Sequence, residues 1–198
     1  MRIGIYGGTF NPIHYGHLHI AQTALNILNL DYVIFIPASN PYMKNKNELE
    51  SYFYRKEMIS LATKDNEHFL VRDDDATYNE PSYMSNTILN MKKEFPNSEL
   101  FLILGEDAYN QLISWHEPDT IIDNINGIFV YRRNSTEELR KLYPVLTISN
   151  TPEDEMNVSS TMIRRILKEN PRMCRYLLHK EVYDYIIEHD LYGGKYGF

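Results

Sequence analysis

Apolar residues recur along the chain with two different periods. Runs at positions 3–6, 32–36, 100–104 and 128–131 place hydrophobic side chains on consecutive positions, as strands covered on both faces require. Positions 69–71 and 145–148 read as shorter strands. Between these runs the apolar residues return every three or four positions. Leu18, Ala21, Ala24, Leu25 and Leu28 predict a helix over 16–28, and Met58, Leu61 and Ala62 predict another over 54–63. Pro81 is expected to open a helix reaching about Glu94, since proline suits a first helical turn. Further helices are expected over 108–113, over 162–167 and over 180–189, the last with Val182, Tyr185, Ile186 and Leu191 turned inward. Pro37 stops the second strand, and a polar stretch over 38–51 follows it.

Strands alternating with helices predict an α/β fold: one doubly wound, mostly parallel sheet flanked by helices. No internal repeat and no linker divides the chain, so residues 1–198 are expected to form a single domain. Ligands of such sheets bind beyond the carboxyl ends of the strands, where the strand order reverses. The first strand runs into Gly7-Gly8-Thr9-Phe10-Asn11-Pro12-Ile13-His14-Tyr15-Gly16-His17, and the strand over 100–104 runs into Gly105-Glu106-Asp107. Both segments should therefore meet at one crevice.

Composition narrows the setting. The chain is 43% hydrophobic and 24% charged with a net charge of −7, which argues against a general nucleic-acid binder. Its single cysteine, Cys174, forms no intrachain disulfide and fits a reducing, cytoplasmic setting. Met1 leads directly into the first predicted strand, so no secretion signal is expected. The apolar runs are too short to span a bilayer, and no membrane association is expected.

The glycines after the first strand fit neither a dinucleotide fingerprint nor a Walker loop, because no third glycine and no Gly-Lys-Ser/Thr follow. The telling part is His14-Tyr15-Gly16-His17 at a helix start, where main-chain N–H groups attract anions. A helical turn would project His14 and His17 to one side. His19, His68, His179 and His189 read as packing or surface residues. Ser159-Ser160-Thr161 reads as a hydroxyl cap at a helix start. Its hydroxyls and free N–H groups suit the distal phosphates of a nucleoside triphosphate, and Arg164 one turn later offers a planar fork for phosphate oxygens.

His-x-Gly-His after a Gly-x-Phe turn, followed a domain later by Ser-Ser-Thr-x-Ile-Arg, resembles the two signatures of the nucleotidyltransferase superfamily. Pro81-Ser82-Tyr83, Gly105-x-Asp107 and Trp115-His116 narrow the resemblance to the nicotinate mononucleotide adenylyltransferases, and it runs from Ile3 to Tyr192. The resemblance implies transfer of AMP from ATP to nicotinate mononucleotide in NAD biosynthesis, with Mg²⁺ accompanying ATP and no dedicated metal ligands. It implies His17 and His14 as catalytic residues. Gly8, Thr9, Phe10, His14, His17, Gly105, Asp107, Ser159, Ser160 and Arg164 would bind ATP, with residues 159–192 completing that site. Lys44, Tyr83, Met84 and Trp115 would bind the acceptor, Trp115 by stacking on its ring.

Three positions depart from the family pattern. Asn11 stands where the first motif usually has Asp, and Met84 where Thr usually follows Pro-Ser-Tyr. Asn40-Pro41-Tyr42-Met43-Lys44 replaces the usual Pro-Pro-His-Lys. We expect Asn11 to be a tolerated variant able to stabilise the turn. Arg132-Arg133 reads equally as a phosphate contact or a solvated pair, and Asp73-Asp74-Asp75 as a solvated loop with a member available to a cation. The alternatives are an adenylyltransferase acting on nicotinamide mononucleotide or phosphopantetheine, and a nucleotide-sensing module without turnover.

Overall fold

The apolar runs form the centre of the protein. In the computed structural model, which describes residues 1–41, 48–74, 81–132, 143, 146–149 and 156–193, they assemble into one six-stranded sheet. Its strands are β1 (Arg2–Gly8), β2 (Tyr32–Pro37), β3 (Phe69–Val71), β4 (Glu99–Gly105), β5 (Gly127–Tyr131) and β6 (Leu146–Ser149). Each neighbouring pair is parallel, in the order β3-β2-β1-β4-β5-β6. After β1 the chain winds outward through β2 and β3, then returns to place β4 on the other side of β1. The order thus reverses between β1 and β4, where Ile5 lies beside Leu102.

The helices are α1 (Tyr15–Ile27), α2 (Tyr52–Thr63), α3 (Met84–Glu94), α4 (Glu106–Gln111), α5 (Pro118–Asp123), α6 (Ser160–Glu169) and α7 (Lys180–Glu188). Alternate strand residues feed two cores. Tyr6, Val33, Phe35, Phe101, Ile103 and Phe129 pack with buried residues of α1, α2, α6 and α7. Ile3, Ile5, Ile34, Ile36, Leu102 and Val130 pack with those of α3, α4 and α5. This two-sided covering explains the unbroken apolar runs of the sequence. Val182, Ile186 and Leu191 are buried as expected, and Tyr185 is half-buried against the same core.

Two helical expectations need correction. Pro81 does not open α3, which begins at Met84 after an extended Tyr83 (φ −106°, ψ 123°). Ser82 is held outside the helix because its N–H donates to the Asn40 carbonyl at 3.1 Å and its Oγ accepts the Asn40 N–H at 2.9 Å. The helix expected over 108–113 starts earlier, at Glu106, and continues as a 3-10 turn over Leu112–Ser114. Beyond it, α5 has Pro118 in its first turn, a start signal present in the sequence.

Candidate active site

A crevice of about 840 Å³ opens at the carboxyl ends of β1 and β4, within the usual range for small-molecule sites. Its lining includes Gly8, Thr9, Phe10, His14 and His17 from the first motif, and Gly105 and Asp107 after β4. Ser159, Ser160 and Arg164 come from the start of α6, and Met84 and Trp115 from the opposite wall. The segments after β1 and β4 therefore meet where the strand order reverses, as expected, and the start of α6, Met84 and Trp115 line the same crevice. Tyr83 stands beside this wall, its ring stacked on His116 at 3.9 Å. Lys44 and Arg133 lie outside the described residues.

His14 and His17 meet in an arrangement that a simple helical turn does not produce. His14 is extended (φ −149°, ψ 171°) and caps α1, while His17 lies in its first turn. Their rings stack at 3.8 Å with 29° between planes. The His14 N–H donates to His17 Nδ1 at 3.3 Å, so the proton of a neutral His17 sits on Nε2, leaving that nitrogen a donor. Phe10 meets the His17 ring edge-on at 5.1 Å. His14 is itself buried, with 3% of its surface exposed, so it lies mainly behind His17.

The glycines of this motif provide room, not a turn. Gly7 and Gly8 belong to β1, and it is Phe10 that adopts a positive φ of 46°. A Cβ on Gly7 would come within 2.2 Å of the Met84 methyl, and one on Gly8 within 3.0 Å of the Phe10 ring. A glycine at position 16 would leave a phosphate close access to the helix start, but its space is taken by His14, whose Nδ1 and Cε1 lie 3.0 Å from a Cβ placed there. Gly16→Ala should therefore push the His14 ring out of its stack. We expect kcat to fall as the His17 ring loses its support, and the overpacking to cost about 1–3 kcal/mol in stability; steady-state kinetics with thermal melts checks it.

The second motif grips the first. Ser159 caps α6, its Oγ accepting the Met162 N–H at 3.2 Å. Ser160 Oγ donates to the Pro12 carbonyl at 2.9 Å, and Arg164 Nη1 donates to the Asn11 carbonyl at 3.0 Å. Arg164 Nη2 also faces the Glu48 carboxylate at 3.3 Å and Thr161 Oγ1 at 3.5 Å. Tyr131 supports the approach to this helix, accepting the Met156 N–H on its hydroxyl at 3.1 Å.

Other candidates find structural partners. Asp73 accepts from Tyr52 at 2.7 Å and Lys56 at 2.5 Å while staying exposed, as expected of a solvated loop, whereas Asp74 pairs with Arg72 and is largely covered. Asp75 lies outside the described residues. Arg132 approaches Glu106 at 3.5 Å and is largely covered. His19 meets Tyr131 edge-on, away from the crevice. Burial pushes the Cys174 thiol up to about 11, which leaves it protonated and inert at neutral pH. No described helix is long and apolar enough to cross a membrane.

Sequence reasoning missed Arg55 and the role of Asn11. Arg55 is fully buried, and Asn11 bonds to the segment entering α2. Arg55 stands three positions before Met58 and seven before Ala62, on the inward stripe of α2, so its spacing carried the signal.

Fold and crevice together define a nucleotide-binding α/β protein of the cytidylyltransferase-like class, whose family model matches residues 5–166. A relative from Lachnoclostridium phytofermentans is 33% identical, the match covering 96% of this chain and 98% of that one. One from Geobacter sp. strain M21 is 37% identical over 97% and 98%. Both bear the name "Probable nicotinate-nucleotide adenylyltransferase". The chain belongs to the nicotinate-nucleotide adenylyltransferase family. A solved nicotinic acid mononucleotide adenylyltransferase from Plasmodium falciparum, complexed with NaAD, shares the fold with a TM-score of 0.82 and 20% identity, over 99% of each chain.

Proposed function

We propose that this protein transfers AMP from ATP to the 5′-phosphate of nicotinate mononucleotide, releasing pyrophosphate and forming nicotinate adenine dinucleotide. The observation that carries this reading is the convergence of the stacked histidine pair with Ser159, Ser160 and Arg164 at one crevice. Its opposite wall carries Met84 and Trp115. Family membership supplies the acceptor, because relatives across nearly the whole chain carry that name.

The acceptor phosphate is already an anionic nucleophile, so the reaction needs no strong base. The obstacles are repulsion between two anions and charge growth on the α-phosphate, which positioning and electrostatic stabilisation overcome. His17 donates through Nε2 to an α-phosphate oxygen. His14, stacked behind it, holds the ring in place. The start of α6 and Arg164 take the distal phosphates and stabilise the departing pyrophosphate. Gly8, Thr9 and Phe10 form the floor beneath the triphosphate. Open space above Gly105 leaves room for the nucleoside, with the exposed Asp107 carboxylate available to a ribose hydroxyl. Trp115 is half-buried, with a ring surface left for the pyridine, and Tyr83 and Met84 complete the acceptor side, with Lys44 assigned to the acceptor from its sequence motif alone.

Among the described crevice residues the carboxylates are Glu48 and Asp107, and Glu48 is already paired with Arg164. This donor set makes no carboxylate cage, and it fits Mg²⁺ that enters with ATP on phosphate oxygens and water. Bound in that way, the ion would offset charge on the triphosphate. Residues 1–198 act as one unit in this reading, with 159–192 completing the ATP site.

ATP labelled at either the α- or the γ-phosphate tests the bond that breaks. With nicotinate mononucleotide present, α-label should move into the dinucleotide and γ-label into pyrophosphate. Formation of ADP, or of labelled orthophosphate, would overturn adenylyl transfer.

A further inference from the structure

The stretch over 38–51 joins β2 to α2, and both of its described ends are tied beneath the crevice. Arg55 does most of the tying. Its Nη1 donates to the Thr9 carbonyl at 2.7 Å, its Nη2 to the Ala38 carbonyl at 2.7 Å and its Nε to the Glu50 carbonyl at 3.0 Å. One buried guanidinium thus gathers the turn after β1 and both ends of the stretch. Asn11 adds a second tie: its Nδ2 donates to the Glu48 carbonyl at 2.7 Å, and its Oδ1 accepts the Glu50 N–H at 3.2 Å. The Glu50 carboxylate accepts the Tyr192 N–H at 2.8 Å, bringing the end of the described chain to the same point.

These ties bear on one side of the crevice. Ala38, Pro41 and Leu49 line it, and Asn40 is bonded to Ser82, immediately before Tyr83 and Met84. The Glu48 carboxylate reaches Arg164 on the ATP side, but that side chain is 59% exposed and such pairs are weak.

We propose that Arg55 and Asn11 are positioning residues for the acceptor, fixing both ends of 38–51 to the His14/His17 turn and, through Asn40 and Ser82, to the start of α3. This inference rests on nicotinate mononucleotide being the acceptor. The chemistry of each residue is specific to its place. Three carbonyls in different directions need a planar fork, which a lysine ammonium lacks. The Glu48 carbonyl needs a donor, so an aspartate at position 11 would keep the bond from Glu50 and set its other oxygen against a second acceptor. Asn11 is therefore a requirement of this chain, not a tolerated substitute for the family's aspartate.

The test is steady-state kinetics of full-length Arg55→Lys and Asn11→Asp, with ATP and nicotinate mononucleotide varied separately and melting temperatures measured alongside. Losing a buried hydrogen bond at the acceptor wall should raise KM for nicotinate mononucleotide about tenfold, with kcat and KM for ATP within about threefold. Arg55 is fully buried and its variant can lose stability as a whole, so Asn11→Asp carries the decision. A Glu-specific protease should also cut after Glu48 or Glu50 faster in Asn11→Asp than in the wild type. Lowered melting with unchanged acceptor KM, or equal rises in both KM values, would overturn the proposal. Wild-type protein that fails to turn over nicotinate mononucleotide would instead overturn the reading beneath it.

Discussion

His17→Ala should lower kcat by about 10²–10³-fold, the usual effect of removing one preorganised donor to transition-state charge. The Kd for ATP should change by less than about fivefold, because charge on the α-phosphate oxygens grows chiefly in the transition state. The structure explains why His17 and not His14 carries this prediction. His17 is half-exposed on the crevice with Nε2 as its donor, whereas His14 is buried behind it. His14→Ala should give a smaller loss of kcat, through an unsupported His17 ring. Single-turnover rates with ATP binding measured separately distinguish the two. Equal losses in kcat and in ATP affinity for His17→Ala would assign the residue to binding.

The second large effect is expected at Arg164. Its present partners are a neutral carbonyl at 3.0 Å, a half-exposed carboxylate at 3.3 Å and a hydroxyl at 3.5 Å. Together these hold the guanidinium less firmly than phosphate oxygens would, because charge-assisted bonds to phosphate are roughly twice as strong as neutral ones. Arg164→Ala should therefore raise the Kd for ATP by about 50-fold, and the bond to Asn11 adds a loss of about 1 kcal/mol in stability. Arg164→Lys should restore only part of the affinity, since a point charge cannot make both contacts of a fork. Calorimetric titration with ATP checks both variants. Unchanged affinity in Arg164→Ala would remove the second motif from the ATP site.

Much of this architecture was legible in the chain. Strands buried on both faces leave an apolar run that no loop imitates, and the motifs fall directly after β1 and β4, where the strand order reverses. What escaped was set by tertiary partners. Pro81 sits where a helix could begin, yet the Asn40 main chain holds Ser82 outside the helix and Tyr83 is extended, which delays α3 to Met84. Gly16 resembles a phosphate gap until the His14 ring is seen to fill it. Asp73 and Asp74 read as solvated because Tyr52 and Lys56, the partners of Asp73, are remote in sequence, and Arg72, though two positions before Asp74, carries no local signal that it turns back to pair. Asn11 looked interchangeable with aspartate for a similar reason. The Glu48 carbonyl that its Nδ2 meets lies 37 positions along the chain.

The central claim is the choice of acceptor. Wild-type protein with ATP and Mg²⁺ should be offered nicotinate mononucleotide, nicotinamide mononucleotide and phosphopantetheine separately, and kcat/KM measured from pyrophosphate release. Nicotinate mononucleotide should give the highest value of the three. A preference for nicotinamide mononucleotide or phosphopantetheine, or no pyrophosphate with any of them, would contradict the account.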